Sequence, residues 1–98
     1  MKREQVSKIL INRQDIKQRF AVKHFYLFGS VGRGEERENS DVDILVEFEP
    51  DARVTLFQFT KLQRELTQLL HCRVDLATPG SLHKELRDAI LKEAILAA

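Results

Sequence analysis

Two aspartates, Asp41 and Asp43, occupy alternate positions at the start of a segment that otherwise has the pattern of a buried β-strand. The segment, "DVDILVEFE", is continuously apolar in its middle and stops at Pro50, as expected of a strand covered on both faces. Alternate strand residues share one face, so both carboxylates should project the same way with Cα atoms about 7 Å apart. Like charges at that distance repel and lose hydration, and the pattern therefore predicts a positive partner between them.

A divalent cation is the simplest partner for this pair. Mg²⁺ takes oxygen ligands and is usually shared between one or two carboxylates and the phosphates of a substrate. Asp75, between Val74 and Leu76 in another short strand pattern, could bring a third carboxylate to the same face. The open alternative for the Asp-x-Asp pair is a solvated strand end or a turn cap, and a single aspartate such as Asp75 is compatible with that alternative too.

A glycine-serine turn, Gly29-Ser30, ends the strand pattern "AVKHFYLFG" that precedes the aspartates. Glycine tolerates a positive φ, and a helical turn beginning at Ser30 would offer free N–H groups to a phosphate. Arg33 could add a bidentate phosphate contact. The sequence contains no Walker-type G-x-x-x-x-G-K-[ST] loop and no G-x-G-x-x-G that opens a helix. An ordinary turn with a solvated arginine stays open as the alternative.

The periodicity of the rest of the chain predicts an α/β (α+β) domain. Apolar spacing predicts amphipathic helices over residues 2–19, 54–71 and 81–97. The segment "CRVDLAT" predicts a short third strand that ends before a Pro-Gly pair. The resulting order of helix, strand, turn, strand, helix, strand and helix predicts a mixed sheet of three to four strands, with helices packed mainly on one face.

Composition and charge exclude several classes of protein. A net charge of +1 with 32% charged residues argues neither for a nucleic-acid binder nor for an acidic tail. The single cysteine, Cys72, excludes an intramolecular disulfide and indicates a reducing compartment. No apolar run approaches the roughly 20 residues that cross a bilayer, and the N-terminus lacks a signal-peptide core. We therefore expect one domain, residues 1–98, in the cytoplasm.

Together these residues resemble a known superfamily. Gly29-Ser30, ten intervening residues and Asp41-Val42-Asp43 resemble the G-S-x10-D-x-D signature of the DNA polymerase beta-like nucleotidyltransferases. Within that superfamily "GSVGRGEERENSDVDILVEF" resembles the minimal nucleotidyltransferase (MNT) domain, a small bacterial and archaeal kind encoded beside a HEPN-domain protein. The resemblance extends to "RVDLAT" and to "TPGSLHKELRDAILKEAI", so it covers nearly the whole chain.

The resemblance implies the nucleotidyltransferase fold and a role for each candidate residue. Asp41 and Asp43 would hold two Mg²⁺ ions, and Asp75 would be the third carboxylate, which contacts one metal and helps to activate the attacking hydroxyl. The residues implied to bind the phosphates of a nucleoside triphosphate, or to fix the turn around them, are Gly29, Ser30, Arg33 and Ser40.

The function implied by the resemblance is transfer of AMP from Mg-ATP to a hydroxyl of a partner HEPN ribonuclease toxin. The acceptor would be a tyrosine, and the protein would be an enzyme and the antitoxin of the pair. A non-catalytic antitoxin that masks the toxin, with a vestigial metal site, is an alternative from another class. Whether the chain forms a homo-oligomer or a hetero-oligomer with the toxin is open.

Nucleotidyl transfer to an RNA 3′ end is a further alternative, although nucleic acid is the less favoured partner. It depends on the seven Lys and Arg residues, against two acids, among residues 1–24. A solvated face of an amphipathic helix explains these charges equally well.

Overall fold

The computed structural model describes residues 2–29, 41–81 and 84–98, which contain both helices and strands. Their bounds in chain order are α1 (Arg3–Ile11), α2 (Gln14–Arg19), β1 (Val22–Phe28), β2 (Val42–Phe48), α3 (Leu56–Leu70), β3 (Val74–Ala77), a 3₁₀ turn (Pro79–Ser81), α4 (Lys84–Glu93) and β4 (Ile95–Leu96). Within these described ranges, no helix has both the length and the apolar character needed to cross a membrane.

A four-stranded mixed sheet with the strand order β3-β2-β1-β4 forms the centre of the molecule. β1 pairs antiparallel with β2 and β4, and β2 pairs parallel with β3. The prediction of a mixed sheet of three to four strands is confirmed. A bulge between Val22 and His24 gives β1 one extra residue relative to β2, which lets Val22 and Phe25 both reach the core.

One face of the sheet holds the hydrophobic core. From β2, the alternating residues Val42, Ile44 and Val46 are fully buried in it. The helices that cover this face are α1, α2 and α3, whose buried apolar side chains are Val6, Leu10, Ile16, Leu62, Leu66 and Leu70. The spacing of four between the three leucines keeps them on one side of α3. Helices therefore pack mainly on one face, as the sequence predicts.

The N-terminal helical segment is two helices, so the prediction of one helix over residues 2–19 is wrong. Arg13, with φ −122° and ψ 58°, separates α1 from α2. In a straight helix, the six-residue spacing from Leu10 to Ile16 would rotate Ile16 about 120° away from Leu10. The break allows both side chains to be buried in the same core.

The C-terminal helix also ends before the predicted residue. α4 stops at Glu93, and Ile95–Leu96 forms β4 beside β1 instead of continuing the helix to residue 97. The backbone N–H of Ala97 donates to the carbonyl oxygen of Phe25 at 2.8 Å, and the N–H of Phe25 donates to the carbonyl oxygen of Ala98 at 2.8 Å. Pairing with β1 thus overrides the helical periodicity of this segment.

α3 begins and ends within two residues of its predicted bounds and returns the chain to β3. The Thr55 hydroxyl accepts the N–H of Gln58 at 3.1 Å, and the Gln58 side-chain oxygen accepts the N–H of Thr55 at 3.1 Å. This reciprocal pair is a capping box, which fixes the start of the helix. At the other end His71 has φ 55°, a left-handed conformation that ends the helix before β3.

Candidate active site at one end of the sheet

The start of β2, the start of β3 and the end of β1 meet at one end of the sheet. β2 and β3 run parallel and therefore begin at the same end, whereas β1 runs antiparallel to β2 and ends there. The register pairs Asp43 with Asp75 across β2 and β3, and with Phe28 across β1 and β2. The topology thus brings two of the three predicted carboxylates to directly opposed positions.

These aspartates lie on the sheet face opposite the helix-covered core. Side chains alternate along a strand, and because Ile44 is buried in the core, Asp43 lies on the second face. Directly opposed residues of adjacent strands share a face, so Asp75 accompanies Asp43 at a strand spacing of about 4.8 Å. Asp41 immediately precedes β2. The structure therefore brings two of the three predicted carboxylates, Asp43 and Asp75, to one face of the sheet and places Asp41 at the end of that strand.

The three aspartates differ in exposure, and their carboxylate oxygens are possible ligands for a metal ion. Asp41 and Asp43 are half-buried, and Asp75 is exposed. In the part of the chain that the structure describes, no three His, Cys, Asp or Glu side chains converge closely enough to hold an ion as they stand. The donor set suits Mg²⁺, because carboxylates are hard oxygen ligands and a divalent cation would offset the repulsion between opposed Asp43 and Asp75.

Gly29 lies at the end of β1, next to the carboxylate of Asp43. Its φ of +67° is in the left-handed region that favours glycine. A Cβ atom at this position would overlap Asp43 Oδ2 and would lie 3.1 Å from Asp43 Cγ. Both the backbone conformation and the contact therefore require glycine where the chain leaves β1.

Three residues predicted to bind phosphate or fix the turn, Ser30, Arg33 and Ser40, lie outside the described residues. Their roles stay predictions from the sequence. Of the predicted phosphate-binding residues, Gly29 is the one that the structure describes.

Arg73, which the sequence analysis missed, lies at the same end of the sheet as the aspartates. It lies two residues before Asp75, and its carbonyl oxygen accepts the N–H of Val42 at 2.9 Å. Its Nη1 atom is 3.9 Å from Asp41 Oδ2, and its side chain is 79% exposed. The signal in the sequence is the pattern Arg-x-Asp, which in parallel register lies beside Asp-x-Asp. This signal becomes visible only when the pairing of β2 with β3 is known.

Cys72 lies close to the aspartates but has no catalytic character. The thiol is half-buried, and burial, together with the nearby charge of Asp41, raises its pKa. A thiol with a raised pKa is protonated at neutral pH and is a poor nucleophile. We therefore treat Cys72 as a small side chain at the border of the site.

Further from the aspartates, the second face is partly covered, and Tyr26, His24 and Glu47 are half-buried there. Leu45, opposed to Tyr26 and Ala77, has no exposed surface. The hydroxyl of Tyr26 donates to Glu47 Oε1 at 3.5 Å, and the rings of His24 and Tyr26 form a T-shaped pair with centroids 5.9 Å apart. Burial and the charge of Glu47 raise the pKa of Tyr26. The second face is thus acidic at one end and packed at the other.

Two surface clefts of the described residues lie away from this acidic end. One of about 480 Å³ lies between α1 and β4, and one of about 500 Å³ lies at the N-terminus of α3. Neither is lined by the aspartates. The chemistry of the opposed carboxylates, not cleft size, therefore locates the candidate site.

Comparisons with known proteins relate this arrangement to a family. A model of the nucleotidyltransferase domain matches residues 11–97 of the chain. A protein named protein adenylyltransferase MntA, from Thermococcus cleftensis, is 39% identical over 93 residues, which are 94% of this chain and 92% of the relative.

Two solved structures share the fold. One, described as a candidate minimal nucleotidyltransferase, is 36% identical with a TM-score of 0.74, over 97% of this chain and 95% of that one. The other is a complex of a tri-AMPylated HEPN toxin with an MNT antitoxin from Shewanella oneidensis. It is 22% identical with a TM-score of 0.66, over 97% of this chain and 71% of that one, and shows likeness of fold alone.

Proposed function

Because the chain belongs to the nucleotidyltransferase domain family, we propose that it is an antitoxin that transfers AMP from Mg-ATP to a tyrosine hydroxyl of a HEPN toxin. The family membership agrees with the resemblance found in the sequence, and it makes the protein a nucleotidyltransferase. AMP as the transferred group and a protein as the acceptor are supported by the name of the 39% identical relative. A HEPN toxin as the partner is supported by the complex from Shewanella oneidensis.

The observation that supports this proposal most directly is the opposition of Asp43 and Asp75 beside Gly29. Nucleotidyl transfer needs the attacking oxygen, the α-phosphorus and the leaving pyrophosphate in line, so the protein mainly positions groups and offsets charge. An acidic end of a sheet, flanked by a glycine that lets the backbone approach a ligand, has the features required for both tasks.

In our proposal each residue of the site has one task. Asp41, Asp43 and Asp75 would hold two Mg²⁺ ions. Bound there, the ions would lower the pKa of the attacking hydroxyl and neutralise charge on the leaving pyrophosphate. Asp75, on the outer strand β3, would also orient the attacking hydroxyl. The residues that would bind the β- and γ-phosphates or fix the turn around them are Gly29, Ser30, Arg33 and Ser40.

The proposed reaction exchanges one phosphorus–oxygen bond for another. The tyrosine oxygen forms a bond to the α-phosphorus of ATP, while the bond from that phosphorus to the α–β bridging oxygen breaks. Pyrophosphate leaves with the electron pair, and the hydroxyl proton passes to Asp75 or to solvent. The product is a tyrosine that carries AMP through a phosphodiester.

Intact-mass measurement on the partner toxin tests this reaction. With ATP and Mg²⁺, the native protein should add the mass of AMP to the toxin, and chelation of Mg²⁺ should prevent the addition. Asp75→Asn should slow transfer by about 10²-fold or more, because it removes a group that orients the attacking hydroxyl. Asp51→Asn, the same change at an exposed turn, is the matched control and should leave the rate unchanged.

Asp75→Asn should also change the free energy of unfolding by no more than about 0.5 kcal/mol, because Asp75 is exposed. A urea titration of both variants measures this directly. No addition of AMP by the native protein, with toxin bound and both proteins folded, would show that the proposed activity is wrong.

Neutralisation by masking is the second candidate function, and an exposed apolar pair favours it. Leu56 and Phe57, in the first turn of α3, are 80% and 78% exposed. Large apolar side chains exposed next to each other are typical of binding surfaces. The double variant Asp41→Asn with Asp43→Asn separates the two functions, because it should lose neutralisation if chemistry is required and keep it if masking is sufficient.

A further inference from the structure

Arg73 and Gly29 flank Asp41 and Asp43 on opposite sides. In the strand order β3-β2-β1, Asp41 and Asp43 lie between Arg73, which immediately precedes β3, and Gly29, which immediately follows β1. In the proposed function the triphosphate lies on the Gly29 side. An in-line displacement places the attacking oxygen opposite the leaving pyrophosphate. The acceptor therefore approaches from the side where Arg73 lies.

The contacts of Arg73 allow it to bind an incoming anion. Its ion pair with Asp41 is long, at 3.9 Å, and its side chain is 79% exposed. Exposed ion pairs of this kind contribute little to stability, so exchange of Asp41 for another anion costs little. The planar guanidinium offers two parallel N–H donors, a geometry that matches a phosphate. Arg73 is thus suited to a phosphate on the acceptor side of the site.

We propose that Arg73 binds the phosphate of an AMP already attached to the acceptor and positions its ribose for a further transfer. This inference depends on the proposed function. After the first transfer the acceptor presents a phosphodiester and free ribose hydroxyls, neither of which it had before. The toxin of the Shewanella oneidensis complex is tri-AMPylated, so more than one AMP has a precedent on the partner of a protein that has this fold.

The second transfer repeats the chemistry of the first with a new nucleophile. A ribose hydroxyl oxygen of the attached AMP bonds to the α-phosphorus of a second ATP, and the bond to the bridging oxygen breaks. Pyrophosphate leaves with the electron pair, and the proton passes from the hydroxyl to Asp75 or to solvent. Arg73 acts here as a positioning residue, because it holds the phosphate that precedes the attacking ribose.

The rates of successive additions, followed by intact mass of the toxin, test this role. Arg73→Ala should lower the rate of the second addition relative to the first about tenfold or more, since a hydrogen-bonded charge pair to the attached phosphate is lost. Arg73→Lys should restore part of the second rate, because it keeps the charge without the planar fork. Arg53→Ala, at an exposed arginine before α3, should change neither rate.

Other results overturn the inference, and they are distinguishable from failure of the proposed function. If Arg73→Ala slowed both additions equally, Arg73 would contact ATP or the toxin surface and not the attached AMP. The inference is also wrong if the native protein adds only one AMP, or if the Arg73→Ala variant gives the same ratio of singly to multiply AMPylated toxin as the native protein. In both cases the proposed function stands. A native protein that adds no AMP overturns both. Arg73→Gln is a second variant, should the alanine variant fold poorly.

Discussion

The two faces of the sheet are built from alternate residues of the same strands, yet one stabilises the fold and the other presents the candidate site. In β2, Val42 and Ile44 are fully buried under the helices, whereas the intervening Asp43 is half-buried on the second face. Because the side-chain period of a strand is two, one residue separates a core position from a site position. Acidic residues can therefore stand at the start of a buried strand without lying in the core.

The second face itself divides between Asp43 and Leu45, which are neighbours on that face. Leu45 has no exposed surface, and the contacts among Tyr26, His24 and Glu47 continue the packed region beyond it. On the other side of this boundary, Asp75 is exposed. The difference between core and site is thus set along the strand as well as across the sheet.

The largest predicted effect tests the helix-covered face. Ile44→Ala should lower the free energy of unfolding by about 2–5 kcal/mol, because it leaves a cavity among fully buried side chains. This loss is a large fraction of the total free energy of unfolding of a typical domain, which is about 5–15 kcal/mol. Urea unfolding followed by circular dichroism measures the loss. Asp51→Ala, at an exposed turn, is the control and should stay within about 0.5 kcal/mol of native.

Leu45→Ala sharpens the comparison, because Leu45 lies on the second face but is fully buried. We expect a loss in the same range as for Ile44→Ala. A loss near zero would mean that burial on the second face contributes little to stability, and that the boundary drawn between Asp43 and Leu45 is incorrect.

An intermediate effect is expected at Gly29, where the first strand meets the site. Gly29→Ala should cost about 1–2 kcal/mol for the left-handed backbone alone. It should also displace the Asp43 carboxylate, which the new Cβ would overlap. We expect slower AMP transfer together with lower stability, measured by the mass assay and by urea unfolding.

A double-mutant cycle separates the two costs at Gly29. With Asp43→Ala in the background, the added Cβ no longer meets a carboxylate, and only the cost of the backbone conformation should remain. The two substitutions should therefore be non-additive in their effect on stability. Strictly additive values would contradict a direct contact between Gly29 and the Asp43 side chain.

Local sequence signals predicted most of the fold, because they are properties of short segments. Strand-forming residues that end at turn signals located β1 and β3, alternation at the start of an apolar run located β2, and the apolar face of α3 was predicted from its leucines. The break between α1 and α2 and the short strand β4 were not predicted. β4 has only two residues, Ile95 and Leu96, and its conformation depends on hydrogen bonds to β1 that no local pattern encodes.

The candidate site was predictable to a similar extent. The alternation predicted a common face for Asp41 and Asp43, and the turn at Gly29 predicted a glycine that the structure shows at positive φ. The opposition of Asp43 to Asp75 depends on the parallel register of β2 and β3, which the sequence does not specify. Arg73 was missed because its position beside Asp41 also depends on that register. From the sequence alone, an arginine before a strand is expected to be solvated.

The smallest predicted effect concerns Tyr26, which is half-buried on the second face. Burial and the charge of Glu47 raise the pKa of this tyrosine, which is the only one in the chain. Titration of tyrosinate absorbance therefore reports Tyr26 alone. Glu47→Gln should lower its pKa toward the ordinary value, and Glu49→Gln, at an exposed neighbour, should not.

The same shift predicts how stability depends on pH at the alkaline end. The pKa of Tyr26 is higher in the folded than in the unfolded chain, so the folded chain holds its proton longer. This contribution to stability is complete below the unfolded value of about 10, and it is lost as the pH rises through the folded pKa. Tyr26→Phe should remove this part of the decline in urea titrations. A Tyr26 pKa at or below its ordinary value would instead indicate that this end of the second face is open to solvent, as the aspartate end is.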